Sequence, residues 1–187
     1  MCRQTLATPR SPAPGTVWRL LTEIAGWPHA AVRAPSVQRN PTGDRDMWQQ
    51  SFDTLTSAAP ATVWRLFADV AGWPRWNAGI EAIALHGPFA EGATFIMKPP
   101  GEDAMTSTLR HVVQGHSFED ETVLGEVRVL VDHRVEPAAG GRTRIACTAR
   151  VEGPDAADVG AAVTADFPLV LAALAALAEH EEAAAHA

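Results

Sequence analysis

Cysteine is scarce in this chain: two among 187 residues, Cys2 at the amino terminus and Cys147 inside an apolar alternating run. They make neither a disulfide framework nor a zinc spacing, so both read as free thiols. No apolar stretch approaches the ~20 residues a membrane span needs, and no basic start leads into an apolar segment. That pattern predicts a cytoplasmic protein with no membrane span. Gly-rich phosphate cradles and nucleophile elbows are missing too. Basic charge is short where it would matter. Net charge is -7; residues 1–50 hold six arginines against three acids, while 51–187 hold nine basic against 19 acidic residues. Nucleic-acid recognition needs a basic face, so no nucleic-acid partner is expected.

What is present begins with a repeat. The run Ala13-Pro-Gly-Thr-Val-Trp-Arg-Leu through Gly26-Trp-Pro-His-Ala30 recurs 46 residues later at 59–76, with eleven of 18 positions identical. Each copy reads as a short amphipathic helix ending in Gly-Trp-Pro, yet a solenoid needs three or more such units. A partial duplication is the better reading, giving an arm over 1–47, a domain over 48–181 and a frayed tail over 182–187. A helix this short is marginal alone, so Val17, Leu20, Leu21 and Ile24 are expected to pack on the domain or on a second copy, making a homodimer through the arm.

The second copy sits in a longer pattern. β-formers over 50–58 precede Pro60, which suits the first turn of a helix. Val63, Leu66, Phe67 and Val70 keep helical spacing until Gly72 and Pro74, and a second short turn follows over 73–77. Strands are predicted at 79–85 and 93–98, 107–113 and 117–123, and 127–136 and 142–151, joined by turn residues. In the last pair Val127, Val129, Val131, His133 and Val135 share one face. Residues 155–181 predict a long helix with an apolar stripe and a kink near 163–167 caused by Pro168. The fold class is therefore α+β: a curved antiparallel sheet of about seven strands around a long C-terminal helix, with two short helices after the first strand and a ligand cavity between the layers.

The run Ala59-Pro-Ala-Thr-Val-Trp-Arg-Leu-Phe through Gly72-Trp-Pro-Arg-Trp-Asn77, the Gly87–Phe95 hairpin, and Val131-Asp-His-Arg-Val-Glu-Pro with Gly140-Gly-Arg-Thr-Arg-Ile145 resemble the polyketide cyclase/dehydrase branch of the START-like (SRPBCC) superfamily. The resemblance covers about residues 48–180 and implies the helix-grip fold with a deep hydrophobic cavity. It also implies that Trp64, Trp73 and Trp76 belong to a structural helical plug. It transfers no catalytic motif.

Candidate chemistry comes from polar residues on apolar faces. His133 interrupts a valine face, where burial would lower its pKa and fit it for acid/base work on an enolisable ketone; the bland alternative is a satisfied core histidine. His111 shares an alternating face with Ser107, Leu109 and Val113, so both histidines are placed toward one volume. Two histidines do not make a metal site, and no metal or cofactor is expected. The expected ligand wall is Trp76, Asn77, Phe95, Met97, Met105, Leu109, Phe118, Cys147, Thr164, Phe167 and Leu171. Asp132 and Arg134 point away from His133 and read as an exposed pair. Glu119-Asp120-Glu121 read as a charged strand edge, the alternative being that one of the three faces the interior, while Glu179, His180, Glu182 and His186 read as a solvated helix end.

The leading expectation is a protein that binds a polyketide, aromatic or lipid-like molecule in an internal cavity, with cyclisation or dehydration by His133 as the enzymatic form. The alternatives are a non-enzymatic carrier or sensor and a co-chaperone-like interaction module.

Overall fold

The computed structural model describes residues 47–186; the arm helix and the arm-mediated homodimer expected from the sequence lie outside them. Strand β1 (Met47–Thr56) leads through Ala58 into α1 (Pro60–Ala68) and a 3₁₀ turn (Val70–Arg75). There follow β2 (Ala82–His86), β3 (Thr94–Lys98), β4 (Met105–Val113), β5 (Ser117–Leu124), β6 (Val127–Ala138) and β7 (Arg142–Glu152), then α2 (Ala156–Val163) and α3 (Phe167–Ala185). The seven strands form one antiparallel sheet in the order β1-β7-β6-β5-β4-β3-β2. This is the expected helix-grip arrangement, with two C-terminal helices where one was expected.

Pro60 stands at the start of α1, and Val63, Trp64, Leu66 and Phe67 are its buried face. Its end is fixed by close contact. A Cβ on Gly72 would lie 2.4 Å from the Asp69 carboxylate, so glycine leaves room for that side chain where it stands. The Trp73 indole N–H then donates to the Phe67 carbonyl at 2.9 Å and locks the plug onto the end of α1. At the other end of the domain, α2 seats on β1 because a Cβ on Gly160 would fall 2.0 Å from the Trp48 ring.

The expected kink is a full break. Proline at 168 crowds the carbonyl four residues earlier, at Thr164, and the helix stops there. The Thr164 hydroxyl donates back to the Gly160 carbonyl at 2.9 Å, and α3 restarts from Asp166, whose carbonyl accepts the Leu169 and Val170 amides.

Two expectations need correction. Ala156–Ala185 is long and apolar enough to meet a membrane-span test, contrary to the reading that no such run exists. The alanines between the stripe residues raise its hydropathy, but the segment is broken at 164–166 and packs on β1, β7 and α1 as the core helices of the domain. The last helix also runs past 181, as far as Ala185. Glu182 accepts the Ala59 amide at 2.6 Å, Glu179 accepts the Ser57 amide at 2.8 Å, and Glu181 pairs with Arg65 and Arg75. Acids at the end of α3 thus satisfy amides that open α1, which has no side-chain cap of its own.

Candidate functional site

The sheet's concave face is mostly Val, Phe and Met, crossed by one polar band. Strand registers build it. Ser107 on β4 faces Thr122 on β5, Phe118 on β5 faces His133 on β6, and His133 faces Cys147 on β7. Asp120 lies two residues along β5 from Phe118, which makes it a diagonal neighbour of His133.

The band is bonded throughout. The Ser107 and Thr122 hydroxyls are 2.6 Å apart. His133 Nε2 lies 2.8 Å from Asp120 Oδ2, and its Nδ1 lies 3.3 Å from Cys147 Sγ. A carboxylate only accepts, so Nε2 carries a hydrogen toward Asp120. The imidazole is stacked on Phe118, with centroids 4.3 Å apart and planes at 11°, and meets the edge of Phe67 at 5.6 Å. Two aromatic rings therefore fix its plane, and a π face suits a cationic ring.

The charge state corrects the expectation from sequence. Burial alone pushes His133 down, as anticipated, but the charge and hydrogen bonds supplied by Cys147 and Asp120 outweigh it and push the pKa up to about 10. The ring is an imidazolium at neutral pH, an acid rather than a base.

These groups border a partly open cavity of about 110 Å³ between sheet and helices. The plug contributes Phe67, Trp73 and Trp76; the loop after it contributes Asn77, Gly79 and Ile80. The sheet adds Phe95, Met97, Leu124, Val129 and Val131 with the polar band, and Val163, Phe167, Val170, Leu171 and Leu174 close the helical side. Asp166, in the break before α3, faces the same space. Burial pushes its carboxyl above the usual range, against a pull downward from its own backbone amide.

Of the residues expected at the site, His133, Trp76, Asn77, Phe95, Met97, Cys147, Phe167 and Leu171 line this cavity. Met105, Leu109 and Phe118 are buried in the core beside it rather than in its wall. Thr164 is buried with its hydroxyl spent on Gly160, so it too is outside the wall. His111 is solvent-exposed: a bulge between Arg110 and Val113 breaks the alternation, and His111 takes a left-handed φ of 46°. The two histidines do not share a volume. The edge reading of 119–121 is overturned as well, because β5 is the fourth of seven strands. Asp120 points inward, while Glu121 on the outer face is held by Arg110 and Arg128.

The sequence left open that one acid of 119–121 faces inward without singling out Asp120, and it gave no place to Asp166. The first was within reach: pairing 117–123 with 127–136 around the Gly125 turn sets Asp120 diagonal to His133. Asp166 had no comparable signal, because its position depends on how the helix breaks. Among the described residues, no group of three or more His, Cys, Asp or Glu is arranged to hold a metal ion. The Trp76 indole N–H is buried without a protein partner.

Residues 47–179 match the family model described as polyketide cyclase / dehydrase and lipid transport. No curated protein matches the chain in sequence. Among solved structures, the Zhui aromatase/cyclase from Streptomyces sp. R1128 is similar with a TM-score of 0.61 at 17% identity, covering 72% of this chain and 94% of that one. Norcoclaurine synthase from Thalictrum flavum is similar with a TM-score of 0.59 at 13% identity, covering 80% and 98%. Identities this low speak for the fold alone.

Proposed function

The chain belongs to the polyketide cyclase / dehydrase and lipid transport family, and on that premise we propose that it binds a compact hydrophobic molecule bearing a carbonyl or hydroxyl oxygen. His133 acts on that oxygen as an acid. The observation that carries this reading is the Asp120–His133 pair set in an otherwise apolar cavity wall. A protonated imidazole in such surroundings stabilises negative charge developing on a carbonyl oxygen, or protonates a departing hydroxyl, as cyclisation and dehydration both require.

Cavity size narrows the ligand. A cavity of ~150 Å³ admits benzene in an engineered core, so a space of about 110 Å³ limits the enclosed part of a ligand to no more than a single small ring.

Trp73 and Trp76 line the cavity, so their fluorescence reports occupancy. Titration with cyclohexanone should give a saturable change that Val131→Phe abolishes while far-UV circular dichroism is retained. No saturable change with any one-ring ketone would contradict the binding reading. His133→Gln should preserve that binding and remove turnover of a dehydratable β-hydroxyketone; unchanged turnover would remove His133 from the chemistry. One observation favours a carrier instead: both ring nitrogens of His133 are already partnered. A carrier binds the ketone and forms no product with either protein.

A further inference from the structure

Cys147 is the nucleophilic group that the acid chemistry above leaves unused. It borders the cavity, is 6% exposed, and stands directly across the β6–β7 ladder from His133. Its sulfur lies 3.3 Å from Nδ1, and the other ring nitrogen is held by Asp120 at 2.8 Å. Carboxylate, imidazole and thiol therefore form one line, with the ring's plane fixed by Phe118 and Phe67. This is the arrangement in which a protonated imidazole, oriented by a third group, stands beside a sulfur and favours its thiolate form. A merely packed cysteine needs neither the aligned imidazole nor the carboxylate behind it.

We propose that Cys147 is a nucleophile activated by the Asp120–His133 pair, and that it adds covalently to α,β-unsaturated carbonyl compounds held in the cavity. The proposal rests on the binding reading above and names the ligand class. In the reacting form the proton lies on His133 Nδ1, 3.3 Å from the sulfur, and the sulfur forms a bond to the β-carbon of the enone. The C=C π pair moves to make an enolate, and Nδ1 returns its proton to the α-carbon. The product is a saturated thioether ketone. Nothing leaves, no oxidant is needed, and the reverse sequence regenerates the thiol and the enone. The cavity's size selects small enones over long ones.

The test uses the full chain with 2-cyclohexen-1-one as electrophile and cyclohexanone as its saturated counterpart. Adducts are followed by intact mass and peptide mapping, which separates Cys147 from Cys2. An unassisted thiol is only a few per cent ionised at pH 7, so Cys147 should react at that pH at least about tenfold faster than in His133→Gln. That ratio should shrink toward one near pH 10, where an unassisted thiol is ionised. Saturating cyclohexanone should protect Cys147 and leave Cys2 labelling unchanged. Cys147→Ala should lose the adduct at that position in the peptide map and leave Cys2 labelling unchanged. Asp120→Asn should retain part of the rate, which a structural role alone does not require. If cyclohexanone binds and Cys147 stays unmodified, or reacts with the same pH profile in wild type and His133→Gln, the nucleophile assignment is overturned and the binding reading stands. If cyclohexanone neither binds nor protects, both are overturned.

Discussion

Asp120 and Asp132 are paired-strand neighbours with opposite fates. Both lie on strands at the centre of the sheet, and each bonds a basic side chain. Asp132, on the convex face, is chelated by Arg134 at 2.7 and 3.2 Å in an exposed pair. Asp120, on the concave face, meets His133 with each side chain 14% exposed, and the pair borders an apolar cavity. On the outside, water screens the ions and two more charges change little. On the inside, the same chemistry holds a proton on a ring that would otherwise release it near neutrality. Pleat parity, not residue type, divides the surface salt bridges from the chemical site.

The comparison can be broken from the inside outward. Phe118→Ala removes the ring stacked on His133 from a fully buried position and should cost about 3–5 kcal/mol in urea denaturation. A loss below ~1 kcal/mol would mean that the concave core is not packed as described. Glu121→Gln is intermediate. Burial pushes this carboxyl up, but Arg128 and Arg110 outweigh it and hold it below the usual range. The two guanidinium groups are 41% and 44% exposed, so solvent screening limits the loss to about 1–2 kcal/mol. Asp132→Asn should change stability by no more than ~0.5 kcal/mol, and less at high salt. A cost equal to that of Glu121→Gln would erase the distinction between half-buried and exposed pairs.

The pH dependence follows from His133. Its folded pKa, about 10, lies above the ordinary 6.5, so the stability it contributes is complete below pH 6.5 and is lost as pH rises toward 10. Wild type should lose stability relative to His133→Gln across that window, and parallel curves from pH 6 to 10 would oppose it.

Much of this was readable in the sequence, for identifiable reasons. The alternation of Val127 to Val135 specified which face of β6 is inward, and Pro60, Gly72 and Pro168 marked where helices start and stop. Failures arose where a side chain's setting depends on something non-local. His111 left its face because of a bulge that the alternation of its neighbours does not announce. Asp120 was assigned to an edge because strand order, which makes β5 central, is not written in β5 itself. The raised pKa of His133 required both partners, and one of them is 14 residues away on β7. Glu179 and Glu182 looked like a solvated tail because their amide partners lie more than a hundred residues earlier in the chain.

The most direct test of the account is an NMR titration of the His133 imidazole in the full chain, assigned by comparison with His133→Gln. The account predicts a ring that stays protonated from pH 6 to 8 and releases its proton near pH 10, with Asp120→Asn moving that release downward. A ring that titrates at or below 6.5 would contradict it, leaving His133 a neutral core histidine in an apolar wall.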